Sequence, residues 1–126
     1  MSVKYTVTER GNPLNPTQAK KWYANAKSTG DTTLRELSKE IAARSTVSPA
    51  DTQAVLVSLT ELLVQNLAEG KIVRLGDFGA FQVGLNSEGA ETADKFNAAL
   101  IKRSKVVFRP GVDLREMLAT LKYEKA

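Results

Sequence analysis

The stretch "VSPADTQAVLVSLTELLVQNLAEGKIVRLGDFGAFQV", residues 47–83, carries the strongest structural signals of the chain. It opens on Ser48-Pro49-Ala50-Asp51, which combines an N-cap hydroxyl, proline at the first helical position and an acid in the first turn. Gly70 predicts the end of that helix. The positions between form a broad apolar stripe: Val55, Leu56, Leu59, Leu62, Leu63 and Leu67. A stripe this wide indicates burial on more than one side, in a dimer interface or in the centre of a monomeric core.

A β-hairpin is predicted directly after this helix, with strands at residues 71–75 and 78–83 and a tight turn at Gly76-Asp77. Gly79, between Phe78 and Phe81, allows another backbone to approach closely. The two phenylalanines are an odd number of residues apart, so a regular strand would direct them to opposite faces. One of them is then free to pack towards a partner subunit.

Weaker patterns place the other elements. Alternation in residues 3–7 predicts a strand, and residues 21–27 form a strand or a short helix, with Trp22-Tyr23 favouring the strand. Thr33 and Glu36 match a capping box that starts a helix ending near residue 44 or 45. A polar, mobile excursion is expected at 84–92, a short helix or extended segment at 93–101, a strand at 104–109 and a final helix from Asp113. The order β-β-α-α-β-β-β-α predicts an α+β chain with antiparallel strands.

Composition excludes several classes of protein. The 126 residues suit one domain with its own core, and the hydrophobic and charged fractions of 42% and 25% are ordinary for a globular domain. The chain has no Cys and no His, which removes disulfides, thiolate chemistry, and the commonest general base and transition-metal ligand. We expect no enzyme, no cofactor, no metal and no small-molecule substrate. The longest apolar runs are too short to span a membrane, and a cysteine-free chain fits a reducing cytosol.

Positive charge is concentrated near the end of the chain. The net charge of the chain is +4. Residues 95–126 alone carry +5, from eight bases and three acids, and the rest of the chain carries −1. Arg103, Lys105 and Arg109 share a face if their segment is a strand. Cations at that spacing could follow the phosphates of a nucleic acid. The alternative is an ordinary solvated basic face. The complete basic set is Lys95, Lys102, Arg103, Lys105 and Arg109.

Two separated motifs carry a family resemblance. "LGDFGAFQV" (residues 75–83) and "VVFRPGVDLREML" (residues 106–118) lie in the order and at about the distance found in the HU and integration host factor family of bacterial nucleoid DNA-binding proteins. The similarity covers roughly residues 32–122. With its additional N-terminal segment, the whole chain resembles the HU-related histone-like DNA-binding subgroup.

The resemblance implies an architecture and a function. The fold would be an HU-like intertwined homodimer with two helices, a three-stranded antiparallel sheet extended by a β-arm, and a C-terminal helix. Residues 1–31 would be an N-terminal extension packing on the body, residues 32–126 the DNA-binding domain, and residues 84–104 approximately the arm. The dimer would be cytoplasmic, in the nucleoid. It would bind double-stranded DNA without sequence preference and possess a bending activity, with arms in the minor groove.

Family positions assign roles to particular residues. Lys105 and Arg109 match phosphate contacts on the returning arm strand, and the rest of the basic set extends that surface. The positions assigned to the dimer interface and the structural frame are Leu59, Leu63, Gly76, Phe78, Gly79, Phe81, Phe108, Pro110 and Gly111.

The sequence departs from the family in its arm. The outgoing segment contains Glu88, Glu91 and Asp94 and has no base before Lys95. The proline that wedges between base steps in the family is missing, and Leu100 or Ile101 is the alternative apolar wedge. These departures support a rival hypothesis, in which the chain is a protein interaction or assembly module on an HU scaffold that has lost DNA binding. The basic strand would then meet an acidic protein partner.

Overall fold

The computed structural model describes residues 1–126 and divides them into two compact units. The larger unit is Leu34–Glu116, and the smaller combines Met1–Thr33 with Met117–Ala126. The sequence assigned the last ten residues to the 32–126 body, whereas the structure groups them with the N-terminal segment. Three helices and two three-stranded sheets make a mixed α+β chain, in agreement with the predicted class.

Two helices begin the larger unit, α1 at Leu34–Arg44 and α2 at Pro49–Ala68. Ser48 is the N-cap of α2, and its hydroxyl accepts a hydrogen bond from the Asp51 N–H at 3.1 Å. At the other end Gly70 has φ +82°, and the Gly70 and Lys71 amides donate back to the carbonyls of Leu67 and Asn66. This left-handed termination is why glycine stands there. Both predicted ends of α2 are therefore confirmed. No helix of the chain combines the length and the hydropathy needed to cross a membrane.

Helix α2 packs mainly on α1 and makes smaller contacts with residues 73–74 and 79–87. Leu56, Leu63 and Leu67 are half-buried, whereas Leu59 and Leu62 are exposed at 38% and 53%. The only fully buried side chains of the pair are small and polar, Ser38 and Thr52, and each hydroxyl donates to the carbonyl four residues earlier at 2.8 Å. The apolar stripe thus serves two surfaces, one inside the chain and one facing outwards.

The second sheet has the antiparallel order β3-β4-β5, with β3 at Val73–Arg74, β4 at Gly79–Ser87 and β5 at Ile101–Pro110. The predicted turn is confirmed by the Phe78 N–H, which donates to the Leu75 carbonyl at 3.1 Å, and by φ +56° at Gly76. The expected polar excursion at 84–92 is wrong in its first part. Residues 84–87 are strand because β5 is long enough to pair with them.

Both phenylalanines of the turn region lie against the ring of Phe108. Phe81 is its direct cross-strand partner, with ring centroids 4.8 Å apart, and the Phe78 centroid lies 5.7 Å away. The expectation of opposite faces is wrong because Phe78 precedes β4 and closes the turn, so strand alternation does not apply to it. The three rings form one aromatic cluster at the base of the hairpin.

Gly79 is required beside this cluster. A Cβ at Gly79 would lie 2.6 Å from Phe108 Cζ and 2.7 Å from the Arg109 carbonyl oxygen. We expect Gly79→Ala to lower the free energy of unfolding by about 1–3 kcal/mol, because a backbone atom and a packed ring must both move. The measurement is the urea midpoint. The matched control is Gly89→Ala, where nothing lies within 4 Å of the added Cβ; equal midpoints for the two variants would contradict the prediction.

The smaller unit contains a sheet of order β2-β1-β6, with β1 at Val3–Arg10, β2 at Lys21–Lys27 and β6 at Tyr123–Lys125. Residues 21–27 are a strand, as the aromatic pair indicated. Strand β6 was not predicted, since three residues are too few to show a period. It follows α3 (Val112–Ala119) and pairs in parallel with β1.

An exposed ion pair joins β1 to β6. Lys4 Nζ lies 2.6 Å from Glu124 Oε2, and the Ser2 hydroxyl donates to the same oxygen at 2.9 Å. The Lys4 ammonium, and after it the Ser2 hydroxyl, lowers the pKa of the Glu124 carboxyl. The carboxylate form therefore favours the β1–β6 pairing, and that contribution disappears as the pH falls through the lowered pKa.

No apolar side chain is fully buried in either unit, although 42% of the residues are hydrophobic. The chain exposes 10468 Å² of surface, against about 6,600 Å² expected for a folded monomer of this mass. The expectation that the chain buries a core of its own is therefore wrong. Its large apolar residues stand at the surface of α2 and of the second sheet, including Leu62, Ile72, Phe78, Leu85 and Val106.

Candidate nucleic-acid interface

Strands β4 and β5 form a long two-stranded arm. Their register runs from Gly79 opposite Pro110 to Ser87 opposite Ile101, with an irregularity between Asn86 and Ser87. The arm is anchored at its base, where the Gly111 N–H donates to the Phe78 carbonyl at 2.8 Å. A Cβ on Gly111 would lie 2.7 Å from the Asp77 carbonyl carbon, so the chain leaves the arm and enters α3 only through a glycine.

One face of this arm is basic. Arg103 pairs with Asn86, Lys105 with Gly84 and Arg109 with Ala80. Directly paired residues project to the same side of a sheet, and alternate residues of a strand share that side. The three cations therefore lie in a row, which from Arg103 to Arg109 is about 20 Å long. We call this row, with its partners on β4, the basic arm face.

Small and polar partners leave these cations uncovered. Alanine, glycine and asparagine stand opposite them, and a shallow cavity of about 480 Å³ is lined by Leu85, Asn86, Arg103, Ser104 and Lys105. The four ion pairs of the chain include none of the three cations. Their charge is available to an anion from outside the chain.

The other face of the arm is apolar. Phe81 pairs with Phe108 and Val83 with Val106, and Leu85 continues that face towards the end of the arm. Phe108 thus lies on the face opposite the cations. Leu85 and Val106 are both more than 60% exposed, so the outer part of this face has no cover within the chain.

The two remaining predicted bases lie at the end of the arm beside acids. Lys95 Nζ is 3.1 Å from Glu91 Oε2, and Lys102 Nζ is 3.8 Å from Glu88 Oε1. Lys102 is the extra residue of the strand irregularity, since Ile101 and Arg103 both have partners on β4. The structure therefore divides the predicted basic set into three unpaired cations on one face and two ion-paired cations at the arm end.

Removing one of these acids gives a test of the arm end. If duplex DNA is the ligand, as the family resemblance implies, Glu88→Gln should raise the affinity for it and steepen the salt dependence by about 0.9 in the logarithmic slope, because Lys102 becomes available to a phosphate. Asp94→Asn is the matched control, since it removes one charge from the same segment but no ion pair. Fluorescence anisotropy at several salt concentrations measures both, and equal slopes for the two variants would count against a role for Lys102.

The arm end also displays apolar side chains. Two short 3₁₀ turns, Ala93–Lys95 and Ala98–Leu100, fold this segment, and the Glu88 N–H closes it on the Leu100 carbonyl at 2.8 Å. Of the two predicted wedge residues, Leu100 is half-buried and Ile101 is 38% exposed. Phe96, between the turns, is 41% exposed. It was not among the predicted wedge residues, although it is the only aromatic residue between Phe81 and Phe108.

The two residues of α2 that were predicted to lie in a dimer interface, Leu59 and Leu63, differ in exposure. Leu59 lines an open groove of about 410 Å³ together with Ala54, Val55, Ser58 and Leu62. Leu63, one turn further along the same side of the helix, is half-buried and does not line the groove. Of these two, only Leu59 belongs to the outward surface.

Comparisons with known proteins agree with this architecture. A solved structure of a protein from Bacteroides vulgatus ATCC 8482, whose description proposes that it is a bacterial DNA-binding protein, superposes with a TM-score of 0.69 at 12% sequence identity. The match covers 98% of this chain and 47% of that one, so the chain spans about half the length of that protein. No curated protein matches the sequence.

A match to a family profile assigns the chain to a protein family. The profile is described as HU-HIG, an HU domain fused to wHTH, Ig, or glycine-rich motif, and it matches residues 1–125. It therefore includes the N-terminal strands as well as the helices and the arm. The chain belongs to the HU-HIG family of HU-like proteins.

Proposed function

We propose that this protein binds double-stranded DNA through the basic arm face, without sequence preference. The observation that carries the proposal is the row of Arg103, Lys105 and Arg109, none of which has an acidic partner. Each strand of a duplex presents a negative charge every 3.4 Å or so, so a row about 20 Å long can meet several phosphates. Such contacts are independent of sequence because every nucleotide offers the same phosphate oxygens.

The proposal includes a homodimer. Each chain lacks a buried apolar side chain, and its excess of about 3,900 Å² over the surface of a folded monomer is enough for an obligate homodimer interface, which buries about 2,000–5,000 Å² in total. The groove around Leu59 and Leu62 and the apolar arm face are the surfaces that a second copy would cover. A dimer would also present two arms to one duplex.

DNA bending is the next part of the proposal, with Phe96 and Ile101 as the wedge. Apolar side chains inserted between base steps unstack them and kink the duplex. We expect Phe96→Ser with Ile101→Ser to reduce the ring-closure rate of a short duplex about tenfold while affinity changes less than threefold. Leu100→Ser, at the half-buried neighbour, is the matched control. Unchanged circularisation in the double variant would remove the wedge from the proposal.

An assembly module without DNA binding is the rival function. The observation in its favour is the acidic arm end, where Glu91 and Glu88 form ion pairs with Lys95 and Lys102, two of the five predicted DNA-binding cations. In that function the unpaired row on β5 would meet an acidic protein partner. We prefer DNA because a row of cations about 20 Å long matches the regular spacing of phosphates along a duplex. The preferred function assigns the chain to the nucleoid of the cytoplasm and gives it no catalytic activity, cofactor, membrane or small-molecule substrate.

The deciding experiment is a binding titration of the full chain with duplex DNA at two salt concentrations, with the mass of the free protein measured in parallel. Binding that weakens steeply with salt, by a dimer of twice 13.7 kDa, is the expected result. No binding at the lower salt concentration selects the assembly module. Tight binding that is insensitive to salt would contradict phosphate contact by the arm.

A further inference from the structure

The N-terminal sheet has two chemically different faces. The β1–β2 register pairs Lys4 with Lys27 and Arg10 with Lys21, and paired residues share a face. Between these pairs stand Thr6 opposite Asn25 and Thr8 opposite Tyr23. We call these eight residues the basic sheet face. The reverse face is mainly apolar: Val3, Tyr5, Val7, Trp22, Ala24, Ala26 and Tyr123.

Positive charge on the basic sheet face is only partly neutralised. Glu124 lies on β6 directly beside Lys4, on the same side of the sheet. It is the only acid on that side, and it forms an ion pair with Lys4. Arg10, Lys21 and Lys27 take part in no ion pair. Lys27 lies about 20 Å from the Arg10–Lys21 end, since Lys21 and Lys27 are six positions apart on one strand.

At that end Arg10 is held in place by its neighbours. Its Nη2 donates to Asn25 Oδ1, while Asn25 Nδ2 donates to the Thr8 hydroxyl at 2.6 Å. The guanidinium carbon lies 5.8 Å from the centroid of the Tyr23 ring, a cation–π distance. A cavity of about 350 Å³ opens beside it, lined by Arg10, Gly11, Asn12, Gln18, Ala19, Lys21 and Tyr23. No carboxylate lines this cavity, so it combines two cations with amide and hydroxyl groups.

We propose that the basic sheet face is a second contact surface for the phosphate backbone of duplex DNA. It contains no aliphatic side chain, so it suits a hydrated anionic backbone better than an apolar peptide. Its unpaired cations, like those of the arm, span about 20 Å along the strand direction. The inference rests on the proposed function for the identity of the ligand, but it uses no residue of the arm.

The test compares two variants of equal net charge. Lys21→Gln with Lys27→Gln removes two positive charges from the basic sheet face, and Lys125→Glu also changes the net charge by two, on the reverse face of the same sheet. We expect the double variant to lower the logarithmic salt slope for duplex binding by about 1.8, because two phosphates are no longer neutralised. The ratio of parent to variant affinity should therefore be up to about 60-fold larger at 0.1 M salt than at 1 M. Lys125→Glu should leave the slope unchanged.

The outcomes separate this inference from the proposed function. A parent protein that does not bind duplex DNA refutes the proposed function and this inference together. If the parent binds, and the slope of the double variant equals that of Lys125→Glu, this surface alone is refuted. A slope that changes only with an RNA ligand would also overturn the assignment to DNA.

A measurement on the unmodified protein covers the case in which the variant folds poorly. Lys21, Lys27 and Lys125 are all exposed, so an amine-reactive label modifies each of them in the free protein. Saturating duplex DNA should protect Lys21 and Lys27 at least fivefold and leave Lys125 reactive. Equal labelling of all three lysines with and without the duplex would overturn the proposal.

Discussion

Duplex DNA binding will be abolished when two charges on the basic arm face are reversed, in the variant Lys105→Glu with Arg109→Glu. Both side chains lie in the row on β5 and have no acidic partner. Reversal replaces two cations that attract phosphates with two carboxylates that repel them on each arm. The salt slope should fall by about 0.9 for every phosphate that is no longer neutralised. Anisotropy titrations at 0.05–0.3 M salt provide the measurement.

The control for this result must separate position from net charge. Lys105→Gln with Arg109→Gln and Arg35→Gln with Lys39→Gln each remove two charges, the second pair from the exposed surface of α1. Only the arm pair should lower the slope. If both pairs reduce binding equally, the interaction depends on overall charge and the basic arm face has no specific role. If the reversed arm variant binds like the parent, the site is wrong.

Local signals in the sequence were sufficient for most of the fold. Ser48-Pro49 and Gly70 determine the ends of α2 through groups within a few residues, and Gly76 determines the hairpin turn in the same way. The shared face of the arm cations follows from strand alternation alone. These predictions hold because both the cause and its consequence are local in the chain.

Features that depend on distant partners could not be predicted. Strand β6 exists because β1 offers it an edge 120 residues away, from Val3 to Tyr123. The length of β4 depends on the start of β5, and the two ion pairs at the arm end depend on how residues 88–102 fold back. The side of the hairpin on which the Phe78 ring lies depends on where β4 begins, because Phe78 precedes the first strand residue, Gly79. In each case the missing information was a tertiary contact.

The buried core is the feature for which the sequence was most misleading. Its apolar content is ordinary for a domain that folds alone, yet the structure leaves Leu62, Ile72 and Leu85 exposed. Hydrophobic content measures how much surface must be buried and does not say which chain buries it. The width of the stripe on α2 was the better signal, since it indicated that α2 has apolar residues on a second side besides the one that packs within the chain.

The proposed dimer should fail to form, and folding should fail with it, when a charge is placed on the outward side of α2. Leu62 lies in the groove beside Val55 and Leu59 and is 53% exposed in the single chain. In a dimer that covers the groove, Leu62→Asp would bury an unpaired carboxylate at a cost of about 3 kcal/mol or more per chain. The dissociation constant should rise more than a hundredfold.

Sedimentation and circular dichroism measure the two consequences together. Because neither unit buries an apolar side chain by itself, we expect the separated chains to lose helical signal as well as mass. Gln53→Asp, an acid at an exposed polar position of the same helix, should remain dimeric and folded. A folded monomer of Leu62→Asp would show that the chain is stable alone, and an intact dimer would place the interface elsewhere. In the proposed complex the second arm comes from the second copy, so the loss of this dimer should also weaken duplex binding while every cation of the arm is still present.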